Sequence, residues 1–277
     1  LPGFDETARF NLKQRLAFTY IRLGDGATAE RLARELIAAL SNANGPDSPY
    51  VLRVRLNLAQ AFMVQNKFRE AVEEADAIYP AFLAKFGPDH QLTMQLLSTR
   101  AQSEGSMGMF DDSVRDDLAI YDIAVKKQGP LSFYSIATLS DAAEAQCRAN
   151  HLEEGLANAR RAHTAAVQAF GAQSGLAGGT ALPLANCLIG LGKLQEASQY
   201  LTNLDTKAIA QLTGDPDWGA GVTLAQAEIA LREGDYDRAR QYLDGVRPVF
   251  SRPDAEAYQK RKLDELSEMT SSHLRSK

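Results

Sequence analysis

The sequence predicts an all-α fold: six helical hairpins of equal length stacked in a row as an α-solenoid, closed by one further helix. Three series of residues predict it. Alanine recurs at Ala17, Ala59, Ala101, Ala143, Ala185 and Ala227, each 42 residues after the last. Twelve residues further on, a second small position keeps step: Ala29, Ala71, Ser113, Gly155, Ala197 and Ala239. Between the two, Gly24, Asn66, Gly108, Asn150, Gly192 and Gly234 supply turn residues. A helix–turn–helix unit that packs on its neighbours and repeats without slippage explains all three.

The spacing places the hairpins at about 5–44, 47–86, 89–128, 131–170, 173–212 and 215–250. In the first, Gly26 stands where later hairpins carry a large side chain (Phe68, Phe110, Leu152, Leu194, Tyr236) to wedge the hairpin base. That departure suits a terminal repeat. The second shows the full pattern. Asp47 or Ser48 caps a helix with Pro49 in its first turn. Leu52, Leu56, Ala59, Phe62 and Met63 recur at helical spacing, and Gln65-Asn66-Lys67 makes the turn. Phe68, Ala71, Val72, Ala75, Ile78 and Phe82 form the apolar stripe of the second helix. Phe86-Gly87-Pro88-Asp89 ends it: glycine takes the left-handed position, proline blocks continuation, and aspartate caps the next helix. Gly45-Pro46-Asp47 and Gly129-Pro130 repeat that punctuation, Phe170-Gly171 less fully. Ala59 and Ala71 fall where the two helices of a hairpin come closest and only a β-carbon fits.

The third hairpin breaks the pattern at Arg100, whose register equivalents Leu16, Leu58 and Leu184 are apolar. A half-buried arginine needs an acidic partner, and Asp141 and Glu144 of the next hairpin are the expected ones. Asp111, Asp112, Asp116 and Asp117 in the same hairpin read as a solvated acidic face. The fifth hairpin carries Gly175, Gly178 and Gly179 where its first helix should begin, then Pro183. Glycine costs backbone entropy in a helix, and proline is tolerated only in a first turn. The expectation is a late start near Leu182, a loose 172–181 segment, and a notch bordered by Trp218, Arg148 and Asn186. Residues 254–271, with Tyr258, Leu263, Leu266 and Met269, read as a capping helix over the last hairpin.

Composition narrows the function. The 277 residues carry 30 Lys and Arg against 35 Asp and Glu, a net charge of −5, which argues against a basic nucleic-acid-binding stripe. No apolar run reaches the roughly 18 residues of a membrane span. The chain opens on Leu1-Pro2-Gly3 and reads as a piece of a larger protein. No catalytic set, P-loop or dinucleotide fingerprint is present, and the four histidines show no metal-ligand spacing. No enzyme activity, cofactor or metal is therefore expected. Cys147 and Cys187 differ in register by two residues, setting them roughly 3 Å out of level over an axis separation of ~9 Å. That exceeds the ~7 Å a disulfide allows, so two buried thiols are expected.

Leu231-Arg232-Glu233-Gly234-Asp235-Tyr236-Asp237-Arg238-Ala239 and the small–small spacing of twelve resemble the tetratricopeptide repeat (TPR) family. The 42-residue period, with Phe86-Gly87-Pro88-Asp89-His90, is similar to the long-helix subtype of kinesin light chains and many bacterial regulators. The resemblance covers about residues 8–250. It implies a right-handed superhelix whose first helices line a concave groove. Carried over by position, the groove residues start with Asn11, Gln14, Phe18 and Ile21. The binding candidates are Arg53, Asn57, Gln60, Gln95, Ser98, Thr99, Arg100, Gln102, Asp141, Glu144, Arg148, Asn186 and Trp218. Their amides and hydroxyls suit a peptide backbone or a small polar ligand. The resemblance implies a non-enzymatic protein-, peptide- or small-ligand-binding domain of a bacterial regulatory protein. The location implied is cytoplasmic, or periplasmic if the parent protein is membrane-tethered. The alternative is a structural scaffold or oligomerisation module. The family's carboxylate clamp of paired lysines and asparagines is absent; only Asn57 and Asn186 match it.

Overall fold

The computed structural model describes residues 6–202, 204–213, 218–252, 255 and 257–275, with backbone only for 6–11, 208, 212, 213, 257, 274 and 275. Every described element is a helix: α1 (Glu6–Arg22), α2 (Gly26–Asn44), α3 (Pro49–Val64), α4 (Phe68–Phe86), α5 (Gln91–Met107), α6 (Phe110–Gln128), α7 (Phe133–Arg148), α8 (Leu152–Phe170), α9 (Gly175–Gly190), α10 (Leu194–Leu201), α11 (Thr206–Thr213), α12 (Trp218–Arg232), α13 (Tyr236–Phe250) and α14 (Ala257–Arg275). The fold is an all-α solenoid of hairpins. Its contacts divide it into two compact units, Leu1–Asp112 and Ser113–Lys277. The hairpin starts expected at residues 5 and 215, the cap start at 254 and the Asn11 side chain lie outside the described residues.

The turn series has one conformation throughout. Gly24, Asn66, Gly108, Asn150, Gly192 and Gly234 all take positive φ, from 58° to 82°. Glycine and asparagine are the residues that reach this region at low cost. The glycines that end second helices, Gly45, Gly87, Gly129 and Gly171, do the same at φ 81–89°. Three residues beyond each, Ser48, His90, Ser132 and Ser174 cap the next first helix, accepting from a backbone N–H of its first turn. The cap of α5 is thus His90, not Asp89. Its Nδ1 accepts from the Leu92 N–H, and its ring stacks on Phe86 at 5.0 Å.

The alanine positions are the tightest places in the molecule. Ala17, Ala59, Ala143, Ala185 and Ala227 are 0 % exposed and Ala101 is 1 % exposed. Around them, in the first unit, Leu52 and Leu56 of α3 meet Ala75, Ile78 and Phe82 of α4 and Leu96 of α5. Full burial of an Ile or Phe contributes roughly 1.5–3 kcal/mol each. Val54 and Leu58 of α3 pack on Ala33 and Leu36 of α2. Their register equivalents in α1, Leu12 and Leu16, stay 48 % and 42 % exposed, since no earlier hairpin covers α1 among the described residues.

The fifth hairpin departs from expectation. Helix α9 starts at Gly175, not near Leu182, with Ser174 capping the Ala177 N–H at 3.1 Å. The 172–181 segment is helical from 175, and the expected notch does not form. The glycines serve contact, not flexibility. A Cβ on Gly178 would run into Ile209 of α11, 2.9 Å from its Cγ1, and Ile209 is 2 % exposed. Pro183 sits inside α9, and the carbonyl its ring approaches, four residues back, belongs to side-chain-free Gly179. The second helix of this hairpin is itself broken. Helix α10 ends after Leu201, Thr202 turns extended, and α11 resumes at Thr206 to lay Ile209 on the glycines.

Cys147 and Cys187 form a disulfide, with α-carbons 5.4 Å apart, contrary to the expectation of free thiols. Register alone misplaced them because α7 and α9 meet through small residues. Ala143 and Ala185 are wholly buried, and the Cys187 sulfur lies 3.7 Å from the Ala143 carbonyl. Gly155 of α8 lies directly against the Cys147 sulfur.

Candidate functional site

The face to test is carried by the first helices, one residue after each alanine: Gln60 and Gln102 in the first unit, Glu144, Asn186 and Glu228 in the second. In the first unit, Arg53 and Gln102 are exposed, and Gln60, Gln95 and Ser98 are half-buried. Gln102 donates from Nε2 to Ser98 Oγ at 3.0 Å. Asn57 and Thr99 are buried, and Thr99 spends its hydroxyl on the Gln95 carbonyl at 2.9 Å. Arg100, 8 % exposed, belongs to the interior as well. Its ion pair within the unit runs back to Asp76 of α4 at 2.7 Å, with the guanidinium 4.8 Å from the Tyr79 ring. This corrects the expected forward pairing with Asp141 or Glu144. Asp76 lies on the second helix of the preceding hairpin.

The acidic run on α6 also needs correction. Asp116 and Asp117 are 2 % and 8 % exposed, so the cluster is not a solvated face. Ser113 Oγ donates to Asp117 Oδ2 at 3.3 Å. The register held the signal: Asp117 occupies the position of the buried alanines Ala33, Ala75 and Ala159.

In the second unit, three helices build a charged strip. Glu144 and Arg148 of α7 pair one turn apart at 2.7 Å. Glu228 and Arg232 of α12 repeat that pairing at 2.6 Å, and Arg232 also donates to the Ile189 carbonyl at the end of α9. Between them, Asn186 of α9 is half-buried, and its Oδ1 is shielded from solvent and accepts no hydrogen bond among the described residues. The disulfide ties α7 to α9 next to Arg148 and Asn186. Asp141, one turn before Glu144, is reached by solvent yet closely surrounded by protein. Desolvation first, then the Glu144 charge, pushes its pKa up to about 7.

Helix α14 lies on this strip. Tyr258 receives the Arg148 guanidinium 4.1 Å from its ring centroid, and Lys262 bonds Glu228 at 2.7 Å. The Lys262 and Arg232 charges hold Glu228 below its ordinary carboxylate pKa against the burial that raises it. Leu263 and Leu266 pack among Leu224, Leu231, Leu243 and Val246 of α12 and α13. The capping helix thus covers the last hairpin, as expected, and also reaches back to α7, which was not. Tyr258 and Lys262 stand four residues apart on one helical face. That spacing was readable, but what it meets was not.

Trp218, expected among the binding candidates, belongs to the core instead. At 9 % exposed it starts α12 inside the core of Leu182, Leu188, Leu201, Ile209 and Val222. The histidines have structural surroundings: His163 bonds Thr180 at 3.0 Å, its pKa pushed down by burial, and His273 stacks on Tyr236 at 4.7 Å.

No family model and no curated protein matches the chain by sequence. Solved structures do match. One is a Podosopora anserina putative kinesin light chain with nearly identical TPR-like repeats: 18 % identity, TM-score 0.65, covering 76 % of this chain and 99 % of that one. A Pyrococcus horikoshii signal-transduction ATPase with a tetratricopeptide repeat sensor matches at 17 % identity and TM-score 0.64, over 97 % of this chain but 40 % of that protein. A tetratricopeptide repeat protein from Parabacteroides merdae matches at 14 % identity and TM-score 0.55, over 94 % and 98 %. At these identities the likeness is one of fold: this is a TPR-like helical-repeat protein. Among the described residues no helix is long and apolar enough to cross a membrane.

Proposed function

We propose that the chain is a non-enzymatic binding module of a regulatory protein, and that the first-helix face takes a partner's helical or extended segment. The observation that carries this reading is α14. It lies on the charged strip of the second unit through an aromatic on Arg148 and an ammonium on Glu228, so the strip already holds one helix by side-chain contacts. With Glu228 facing Lys262 and Arg148 facing Tyr258, the strip favours a partner that presents Lys or Arg beside an aromatic. Arg53, Gln60, Gln95, Ser98 and Gln102 offer a more neutral counterpart in the first unit. A sensor role gains support from the Pyrococcus protein, whose repeats are described as a sensor. The scaffold alternative rests on the exposed Leu12 and Leu16 of α1.

The test is a panel of helical peptides carrying the Tyr-x-x-x-Lys spacing, titrated against the intact chain and against Tyr258→Ala/Lys262→Ala. The double variant should bind about tenfold more tightly, because its own segment no longer competes. Adding Glu228→Gln should weaken that binding again. Binding that ignores both changes would remove the strip from the account.

A further inference from the structure

Away from the first-helix face, a cavity of about 370 Å³ opens among α6, α7 and α8. Its apolar wall is made by Ile136 and Leu139, 1 % and 4 % exposed, with Pro130 and Leu131 of the preceding turn. Arg160 and Arg161 both stand in its lining, and no Asp or Glu does. In a chain with a net charge of −5, that is a local reversal of sign.

The Arg161 guanidinium is fixed on both sides by neutral oxygens. One nitrogen donates to Tyr121 Oη at 3.0 Å and another to Asn158 Oδ1 at 2.9 Å. Asn158 is held in turn by donating to Gln146 Oε1 at 2.9 Å, and Gln146 is 4 % exposed. A chain of hydrogen bonds from the interior therefore aims this cation. The neighbouring Arg160 is different, since Glu196 neutralises it at 2.7 Å. An arginine oriented by neutral acceptors keeps its full charge for a ligand, and its planar donors match a carboxylate. A cavity of this size, with an apolar wall and a fixed cation at its edge, has room for a small molecule.

We propose that this cavity binds a small organic carboxylate, its hydrocarbon or aromatic body against Pro130 and Leu131 and its carboxylate on Arg161. The site is separate from the proposed partner-binding strip, because no residue of that strip lines it.

Calorimetric titration of the 277-residue chain with 3-phenylpropionate tests this, with 3-phenylpropanol and 3-phenylpropylamine as neutral and cationic controls. The acid should saturate at one site per chain, and both controls should bind at least about tenfold more weakly. Arg161→Gln, at an exposed position, should fold normally and lose about tenfold or more in affinity for the acid. Ala165→Leu, which fills the cavity while leaving the charge, should do the same. Three outcomes overturn the proposal. They are no saturable binding up to about 10 mM, equal affinity in Arg161→Gln, and binding confined to an acidic peptide with an adjacent aromatic, which would make the cavity a protein-docking surface.

Discussion

Replacing Gly155 by alanine should destabilise the oxidised protein although alanine is the better helix former. Gly155 stands at the register of Ala29, Ala71, Ala197 and Ala239, where a β-carbon is accommodated with no exposure. In the fourth hairpin that space is taken by the Cys147 sulfur, held by its bond to Cys187. A new Cβ would press on that sulfur and lie 3.0 Å from the Ala143 carbonyl and 3.1 Å from the Cys147 nitrogen. Helix propensity alone favours alanine by about 1 kcal/mol. Overpacking of a rigid site costs about 1–3 kcal/mol, so the net expectation is a loss of up to about 2 kcal/mol. In the Cys147→Ala/Cys187→Ala background the sulfur and the tether are gone, and the helices can separate by the few tenths of an ångström required. There Gly155→Ala should be close to neutral. Urea denaturation of the four proteins yields a coupling of about 1–2 kcal/mol from the double-mutant cycle. A stabilising Gly155→Ala in the oxidised chain, or the same cost in both backgrounds, would refute the reasoning.

Other consequences can be measured on the same material. Removing the disulfide, which spans a separation of 40 residues, should cost about 3–4 kcal/mol on the chain-entropy account, read as a lower urea midpoint with reductant than without. Arg100→Ala should lower the thermal midpoint, because it removes a buried guanidinium from Asp76 and from the Tyr79 ring; Arg100→Met, which keeps the packing on Tyr79, should cost less, and an unchanged midpoint in Arg100→Ala would contradict the pairing. Leu58→Ala should cost about 2–4 kcal/mol and Leu16→Ala under about 1, so equal losses in thermal denaturation would mean that α1 is covered. Asp141, whose pKa rises from 3.8 to about 7, holds its proton more tightly folded than unfolded. The stability it contributes is present below pH 3.8 and lost as pH rises through about 7, by less than the full shift implies because solvent screens it. Asp141→Asn should flatten the midpoint-against-pH curve over that range, and an unchanged curve would contradict the shift.

The repeat was legible in the residues alone, and with it the helices, the turns with their left-handed glycines and asparagines, and the buried alanines, but not every cap, since His90 and not Asp89 caps α5. These depend on one residue and its neighbours a turn away, and the 42-residue register states each of them six times over. Of the positions that the family resemblance put in a groove, Arg53, Gln60, Gln95, Ser98 and Gln102 keep solvent exposure, whereas Asn57 and Thr99 are buried. What the tertiary structure decided lies where two helices from different hairpins meet. Gly178 looks like a helix breaker until Ile209 is found packed against it, since propensity of about 1 kcal/mol per glycine yields to contact. Cys147 and Cys187 look out of reach until the small residues between α7 and α9 bring the axes together. Arg100 takes its acid from the helix behind it and Trp218 disappears into a core. Tyr258 and Lys262 reach a strip that the repeat describes without naming its occupant. Periodicity fixes which way a side chain points along its own helix, whereas the partner it meets depends on how closely the next helix can approach.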